Sequence, residues 1–305
     1  MMKYFSMFSG IGGFELGIQR VCSANKGQSE MSSSGDQKRQ SKQQSDRSAK
    51  RLSCIGFSEI DKYAKQIYKK HFKGHRDYGD ATRINTNDLP DFDFLCGGFP
   101  CQSFSIAGKR AGMSGEDIRG ILFFEIWRIL RDKRPKLFLL ENVPGLLSSR
   151  DGQDFQTILA SLDEIGYDVE WDCCNSKNFG VPQNRERVFI VGHLRGECGR
   201  KVFPLGETNR IPISETGRGV QQPTAHCLRD KQGKRYSSET FIRTSRIRRL
   251  TPTECCRLQG FPDDWVDGIS DSQKYKCLGN AVTVNVIEAI VRNFLDDKHD
   301  GEDNA

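Results

Sequence analysis

Cys101 is the residue of this 305-residue chain whose type and position most directly suggest covalent chemistry. It follows an apolar run at 92–96 through the four-residue segment Gly-Gly-Phe-Pro. This places a thiol on a glycine- and proline-shaped loop at the carboxyl end of a predicted strand, where open α/β sheets bind their ligands. The thiolate would be a nucleophile if its surroundings lower the pKa of the thiol or remove its proton.

Two other segments bring a carboxyl group and two guanidinium groups to the same edge. The predicted strand 136–140 ends in Glu141, and Arg185 and Arg187 precede a predicted strand at 188–191. In extended geometry the two arginines share a face. A thiol, a carboxyl group and paired guanidinium groups that converge on one edge of a sheet indicate a site for chemistry rather than packing.

The remaining cysteines indicate packing rather than chemistry. The chain has 11 cysteines, an odd number, and no Cys-x-x-Cys pair, so neither a disulfide framework nor a zinc site is expected. No apolar stretch approaches the roughly 18 to 20 residues that span a bilayer. We therefore expect an intracellular protein with reduced thiols, no metal and no membrane association.

A glycine-rich turn ends the first predicted strand, at 3–8. Glycine at a strand-to-helix turn lets the backbone approach a nucleotide-like ligand, although such a turn can also be only a tight turn. Gly13 directly follows Gly12, and Glu15 occupies the place of a third glycine, so the pattern does not complete a pyrophosphate-binding Gly-x-Gly-x-x-Gly motif. S-adenosylmethionine therefore fits better than NAD.

Two acidic residues are candidates for contacts with a nucleoside. Glu59 ends the predicted strand 54–58 and is placed to accept hydrogen bonds from ribose hydroxyls. It lies 46 positions after Gly13, and removing a 30-residue insertion at 24–53 brings this to 16, near the roughly 20 typical of nucleotide-binding folds. Asp80 could accept from an adenine amino group or simply form a turn beside Gly79.

Alternating strands and helices must position these groups. Short apolar runs predict strands at 3–8, 54–58, 92–96, 136–140, 167–172 and 188–191. Helical periodicity predicts helices at 61–72, 118–130, 155–165, 253–259 and 282–295. This order predicts an α/β fold with a doubly wound, mostly parallel, Rossmann-like sheet.

Two regions interrupt the alternation and define the predicted domains. Residues 24–53 are polar and predicted to be a disordered insertion; with 7 Lys/Arg and 3 Asp/Glu they are either a passive loop or an accessory binding arm. Residues 193–265 are predicted to form a small irregular lobe between a domain at 1–192 and a returning segment at 266–305. Within 193–250, 13 Lys/Arg face 5 Asp/Glu, which fits a solvated surface or a phosphate-binding face.

Seven segments in order resemble the motifs of the cytosine C5-specific DNA methyltransferase family. They are 8–13, 98–105, 119–124, 141–143, 183–187, 249–262 and 279–282. The resemblance covers nearly all of the chain outside the insertion and the small lobe. A family member that acts on transfer RNA typically has Pro-Pro-Cys-Gln, whereas this chain has Phe99 before Pro100, which favours DNA.

The resemblance implies a mechanism. Cys101 would add to C6 of a cytosine flipped out of duplex DNA, under a mobile lid at 102–115. Glu141, with a pKa raised by burial, would bond N3 and the exocyclic amino group. Arg187 would bind O2, and Arg185 would orient Glu141 or a flanking phosphate. The methyl group would come from S-adenosylmethionine and leave S-adenosylhomocysteine as product.

The resemblance also implies the binding residues. Those expected to bind the cofactor are Phe8, Gly10, Ile11, Gly12, Gly13, Glu59, Ile60, Asp80, Ala81, Gly98, Pro100, Leu122, Asn280, Ala281 and Val282. Ile60 replaces the aromatic side chain that often follows the acidic residue in this family. Those expected to bind DNA are Ser105 and Arg119 on the backbone and, in a target-recognition domain at 193–265, Arg218, Gln221, Gln222, Arg229 and Arg235 on base edges.

The resemblance implies a cytoplasmic, nucleoid-associated monomer whose partner is double-stranded DNA, with a companion restriction endonuclease as a further possible partner. Two other functions stay open: a non-catalytic DNA-binding module on the same scaffold, and an RNA methyltransferase. The presence of Cys101, Glu141, Arg185 and Arg187 together disfavours the first.

Overall fold

A computed structural model describes residues 1–30, 52–100, 118–197, 201–205, 225–226, 241–243 and 247–295. Its central sheet has six strands: β1 (Met2–Met7), β2 (Leu52–Ser58), β3 (Phe94–Gly98), β4 (Leu137–Asn142), β5 (Tyr167–Asn175) and β7 (Glu186–Leu194). Their order is β2-β1-β3-β4-β7-β5. The first four strands pair in parallel, and β7 runs antiparallel to both of its neighbours. The predicted mostly parallel sheet is confirmed.

Alternate residues of each strand enter different cores, as strand geometry requires. In β4, Phe138 and Leu140 belong to one buried cluster, whereas Leu139 belongs to the other. In β3, Leu95 and Phe94 divide in the same way. The inner strands β3 and β4 are therefore covered on both faces, which explains why they are almost continuously apolar.

Eight α-helices are seen in the described part of the chain. They are α1 (Gly13–Glu30), α2 (Lys62–His71), α3 (Ile118–Lys133), α4 (Gly145–Ser148), α5 (Gln153–Glu164), α6 (Pro252–Gln259), α7 (Asp271–Asn280) and α8 (Val284–Leu295). Helices α3 and α5 pack on one face of the sheet, and α1 and α8 on the other. A Cβ on Gly17 would lie 2.7 Å from Ile287 Cγ2, so glycine allows α1 and α8 to approach closely.

A third apolar cluster joins α2, α6 and α7 beside the sheet edge. Ile67 and Tyr68 of α2 pack with Cys255 and Cys256 of α6 and with Leu278 of α7. The predicted boundary at 265 therefore falls inside a packed unit, because the cluster already includes residues from Leu250 onward. The sequence did not predict the contact between α6 and α2, because the two helices lie almost 200 residues apart in the chain.

The capping residues explain where two of these helices begin. Asp61 accepts from the backbone N–H groups of Tyr63 and Ala64 and so begins α2. Thr251 and Glu254 form a capping box at the start of α6, with a proline in its first turn. Both arrangements satisfy N–H groups that a helix start leaves without partners.

The structure also differs from the sequence predictions in the length of the insertion, in helix α7 and in several short strands. The predicted insertion 24–53 is shorter, because 24–30 belong to α1 and 52–53 to β2; the rest of it lies outside the described residues. Helix α7 was not predicted. Three short strand pieces, β8 (Ala225–His226), β9 (Phe241–Arg243) and β10 (Ile247–Arg249), lie in the predicted small lobe, and a two-residue strand β6 (Gln183–Asn184) precedes β7. In the described ranges, every helix is too short or too polar to cross a membrane.

Candidate active site

One cavity of about 820 Å³ opens where β1 to β4 end. Most of the residues predicted for cofactor binding and chemistry line it: Phe8, Gly10, Ile11, Glu59, Ile60, Asp80, Ala81, Gly98, Pro100, Leu122, Glu141, Arg185, Arg187 and Asn280. The carboxyl ends of parallel strands meet at one sheet edge. Residues predicted for cofactor binding and residues predicted for catalysis therefore line the same cavity.

The glycines of the first turn have different tasks. A Cβ on Gly10 would meet nothing within 4 Å, and Gly10 faces the cavity with φ +56°. A Cβ on Gly12 would lie 2.2 Å from the ring of Phe72, and one on Gly13 would lie 2.6 Å from Val282. Gly12 and Gly13 are therefore required for packing against the next elements, and only Gly10 leaves open space for a ligand.

Four of the predicted cofactor residues are not among the cavity-lining residues. They are Gly12, Gly13, Ala281 and Val282. Ala281 and Val282 are buried, and they follow α7 directly, where they pack against the elements behind the cavity. Burial of this kind supports the wall of the cavity without providing a contact surface inside it.

Glu59 is fixed by backbone donors. Its Oε2 accepts from the N–H of Gly10 at 2.8 Å, and its Oε1 accepts from the N–H groups of Ile60 and Asp61, both at 2.8 Å. Three backbone hydrogen bonds orient the carboxylate at the cavity wall. A carboxylate oxygen has further lone pairs, so Glu59 can still accept from ligand hydroxyls.

Asp80 lies on the next segment of the wall. Its Oδ1 accepts from the backbone N–H and the hydroxyl of Thr82, at 2.9 and 2.8 Å. These bonds, the backbone one first, hold the pKa of Asp80 below its usual value. Asp80 therefore caps a short 3-10 helix, Ala81–Arg83, while its position in the cavity leaves it available as an acceptor.

Apolar side chains complete this half of the cavity. Ile60 is 74% exposed, unusual for a large aliphatic side chain, and Phe8 adopts a left-handed φ of +52° directly after β1. Left-handed backbone is costly for a residue other than glycine. Both side chains line the cavity, so they present apolar surface to whatever occupies it.

Glu141 and Arg187 meet at the other half of the cavity. Arg187 Nε donates to Glu141 Oε1 at 3.0 Å, and both side chains are largely buried. The register explains this contact, because β4 and β7 pair as far as Asn142 and Val188, and Arg187 is the next residue. A Cβ on Gly98 would lie 2.9 Å from Glu141 Oε2, so glycine here makes room for the carboxylate.

Cys101 is joined by one peptide bond to Pro100, which lines the cavity, and itself lies outside the described residues. The segment that leads to it is well held: Asn142 Nδ2 donates to the carbonyl of Phe99 at 3.1 Å. The predicted DNA contacts Ser105, Arg218, Gln221, Gln222, Arg229 and Arg235 also lie outside the described residues. Arg119 lies in α3, and its side chain falls outside them as well.

Arg185 has a different environment from the one expected. It is 2% exposed and donates from Nη1 to the carbonyl of Gly279 at 3.1 Å and from Nη2 to that of Ala281 at 2.8 Å. The contact to Glu141 is made by Arg187. Arg185 therefore holds the carboxyl end of α7, where unpaired carbonyls and the helix dipole favour a cation.

The structure adds an ion pair that the sequence analysis did not identify. Lys276 Nζ lies 2.6 Å from Asp61 Oδ2, and both residues line the cavity. The only sequence signal was Asp61 as a helix start, because a contact over 215 positions leaves no local pattern.

Three cysteines, Cys54, Cys255 and Cys277, are poor nucleophiles. Burial raises the pKa of Cys54, Cys255 and Cys277 to about 12. Cys277 lines the cavity, yet at that pKa almost none of it is thiolate near neutral pH. This leaves the segment after Pro100 as the better source of a thiolate in this cavity.

Comparisons with known proteins place this geometry in a family context. A family model described as C-5 cytosine-specific DNA methylase matches residues 2–210 and 207–296. The Type II methyltransferase M.NgoBI of Neisseria gonorrhoeae is 36% identical over 327 residues, 95% of this chain and 92% of that protein. The Type II methyltransferase M.HhaI of Haemophilus parahaemolyticus is 30% identical over 340 residues, 96% and 94%. The solved structure of S. pombe Dnmt2 methyltransferase aligns with a TM-score of 0.67 at 17% identity, covering 97% and 98%; it is similar in fold.

Proposed function

This chain belongs to the C-5 cytosine-specific DNA methylase family and is a DNA cytosine methyltransferase, and from that premise we propose how it works. It transfers a methyl group from S-adenosylmethionine to C5 of a cytosine within a short specific sequence of duplex DNA. The cytosine is flipped out of the helix, and Cys101 attacks its C6.

One observation carries this proposal. Glu141 and Arg187 form a 3.0 Å ion pair in the same cavity as Glu59 and Asp80. The segment that ends in Cys101 starts at Gly98, which pairs with Glu141 across β3 and β4. A carboxyl group, a guanidinium group and the start of the thiol-bearing segment thus lie beside a cavity of about 820 Å³.

The residues present fit S-adenosylmethionine. Glu59 is a fixed acceptor for ribose hydroxyls, Asp80 is an acceptor at the adenine end, and Ile60 and Phe8 offer apolar surface to the base. The missing Cβ of Gly10 leaves room for close approach. The cofactor would supply an electrophilic methyl group attached to a sulfonium sulfur.

The protein must make C5 of cytosine nucleophilic. The Cys101 thiolate adds to C6, and the electron pair displaced from the C5–C6 bond spreads over the ring toward N3 and O2. To stabilise that charge Glu141 must carry a proton, which its O–H donates toward N3 while its other oxygen accepts from the exocyclic amino group. Arg187 donates to O2. Once C5 carries the methyl group, a base such as a water molecule takes the C5 proton, the C5–C6 double bond re-forms, and the C6–sulfur bond breaks to release the Cys101 thiolate.

Arg185 contributes differently in this scheme. Because it holds the carbonyls of Gly279 and Ala281, it fixes the end of α7 and with it Asn280 in the cavity wall. We therefore assign Arg185 to positioning the cavity wall that carries Asn280. The contact with Glu141 is left to Arg187.

Target recognition belongs to the basic region within 193–265. Chemistry at C5 and C6 requires the base outside the duplex, at a cost of a few kcal/mol, which contacts to the flanking DNA must offset. Arg218, Gln221, Gln222, Arg229 and Arg235 are the proposed readers of base edges, and Ser105 and Arg119 the proposed backbone contacts. Relatives named Type II methyltransferases support a companion restriction endonuclease as partner.

The proposal is tested by transfer of tritium from labelled S-adenosylmethionine to duplex DNA. Wild-type protein should label DNA, and Cys101→Ser should not. Cys173→Ser is the matched control, because Cys173 is an exposed thiol on β5 and should be dispensable. DNA binding without any transfer would indicate a non-catalytic binding module, and labelling of transfer RNA but not DNA would indicate an RNA methyltransferase; either outcome overturns the proposal.

A further inference from the structure

The ion pair between Lys276 and Asp61 connects two walls of the cavity. Asp61 begins α2, next to Glu59, and Lys276 lies on α7. Their charged atoms are 2.6 Å apart, and both residues line the cavity. The two residues are 215 positions apart in the chain, so the contact joins elements that the sequence does not hold together.

Asp61 uses each of its polar groups. Its Oδ1 accepts from the N–H groups of Tyr63 and Ala64 and fixes the start of α2, while its Oδ2 binds Lys276. Its own N–H donates to Glu59 Oε1 at 2.8 Å. Desolvation raises the pKa of Asp61, but the hydrogen bonds from Lys276, Ala64 and Tyr63 together lower it by more. The net shift of the pKa is therefore downward. The position of Lys276 is thus linked to Glu59 through one residue.

On the other wall, Lys276 precedes Asn280 by four residues, about one helical turn, and both line the cavity. The end of the same helix is held by Arg185 through the carbonyls of Gly279 and Ala281. Helix α7 is therefore held at two points. Arg185 holds its carboxyl end, and the ion pair of Lys276 with Asp61 holds it one turn earlier, on the side of Glu59. Asn280 lies between Gly279 and Ala281, at the anchor that Arg185 provides.

We propose that Lys276 is a positioning residue for cofactor binding, because its ion pair with Asp61 holds the wall that carries Asn280 at a set distance from the wall that carries Glu59. This inference rests on the proposed function. It assigns to Lys276 an effect on cofactor affinity and no direct part in the attack of Cys101 on the base.

Lys274 provides a matched comparison on the same helix. It forms ion pairs with Asp267 at 3.4 Å and Asp271 at 3.6 Å, and it is absent from the cavity lining. Removing its charge alters α7 by the same chemical change without affecting the connection between the walls. If the ion pairs of α7 affected only the stability of the fold, Lys274→Met and Lys276→Met would change the cofactor affinity to the same extent.

The test measures the dissociation constant of S-adenosylhomocysteine by calorimetry on the full chain, together with KM for S-adenosylmethionine and kcat. Partly exposed ion pairs contribute little individually, so Lys276→Met should weaken binding roughly three- to five-fold. The loss should appear in KM for the cofactor rather than in kcat. Lys276→Arg should recover most of the affinity, and Lys274→Met should bind like wild type.

Asp61→Asn supplies a second variant, because asparagine still caps α2 but loses the charge. It should reproduce the loss, and the double variant with Lys276→Met should lose no more than either single variant. Unchanged affinity in Lys276→Met, or an equal loss in Lys274→Met, would overturn the inference while leaving methyl transfer intact. Failure of wild-type protein to bind S-adenosylhomocysteine would overturn the proposed function and this inference together.

Discussion

Glu15 is a fully buried carboxyl group in the first turn of α1, directly behind the glycine turn of the cavity. Tyr68 donates to Glu15 Oε1 at 3.0 Å, and the same hydroxyl lies 3.0 Å from His75 Nδ1. A tyrosine hydroxyl has one proton to donate. When Glu15 is ionised the Tyr68 proton points to it and His75 must donate to Tyr68; when Glu15 is protonated, the chain can run in the opposite direction.

Burial raises the pKa of Glu15 from 4.5 to about 7, and the hydrogen bond from Tyr68 only partly offsets this effect. The other titratable groups nearby, the phenol of Tyr4 and the thiols of Cys54 and Cys96, stay neutral, because burial raises their pKa values. No cation therefore compensates an ionised Glu15 among the groups named here.

The upward shift in the pKa of Glu15 determines how the free energy of unfolding depends on pH. Between about pH 4.5 and 7 the folded protein holds a proton that the unfolded chain has released, so the free energy of unfolding falls as the pH rises through that window. The stabilisation from the proton on Glu15 is fully present below the pKa of Glu15 in the unfolded chain. It is lost above the pKa of Glu15 in the folded protein. At about 1.4 kcal/mol per pKa unit, the loss comes to about 3 kcal/mol above pH 7.

Glu15→Gln removes this titration while keeping the size of the side chain and an acceptor for Tyr68. Urea unfolding of wild type and variant at pH 5 and pH 8 gives the free energy of unfolding for each. The variant should gain about 2 to 3 kcal/mol relative to wild type between the two pH values. Because all other groups titrate in both proteins, the comparison isolates Glu15. A constant difference between wild type and variant from pH 5 to pH 8 would refute the reasoning.

Three substitutions separate packing from chemistry. Gly98→Ala should lower kcat at least ten-fold, because its Cβ would lie 2.9 Å from Glu141 Oε2; a kcat equal to that of wild type would contradict this. Gly12→Ala should lower the free energy of unfolding by about 2 kcal/mol or more, because φ is +87° and Phe72 fills the space; a thermal melt like that of wild type would exclude it. Arg187→Lys should lower kcat by about 10²-fold with unchanged cofactor affinity, because lysine cannot reproduce the guanidinium geometry toward Glu141 and O2; full single-turnover activity would argue against it.

The sheet was predictable because each strand carries its own signal. Apolar runs that end in Glu59, Gly98 and Glu141 fixed which residues reach the carboxyl edge, and the parallel order then brings them to one cavity. The meeting of Glu141 and Arg187 follows from two strand ends that pair with each other. Local patterns combined with one topological rule were sufficient for these residues.

Long-range contacts were not predictable in the same way. Gly12 and Gly13 suggested ligand approach, but their neighbours Phe72 and Val282 lie far along the chain. Arg185 suggested a partner for a carboxylate or phosphate, whereas it donates to carbonyls about 95 positions away. A residue type reveals what a side chain can bond, and only the fold decides which partner comes within reach.

Helix α7 was missed for a related reason. Its sequence, Asp-Ser-Gln-Lys-Tyr-Lys-Cys-Leu-Gly-Asn, has few apolar residues and includes a glycine, so its periodicity is weak. Tertiary packing against α2 and α6 stabilises it instead. The ion pair of Lys276 with Asp61, which depends on α7, could not be inferred without that helix.

Trapping on duplex DNA that contains 5-fluorocytosine tests the central claim most directly. Fluorine at C5 cannot leave as a proton does, so an enzyme that attacks C6 through Cys101 stays attached to the base after methyl transfer. Mass spectrometry of the digested complex should find the modified nucleotide on the peptide that contains Cys101, only when S-adenosylmethionine is present. DNA binding and methyl transfer to ordinary DNA without any covalent adduct, or an adduct on another cysteine, would contradict the account.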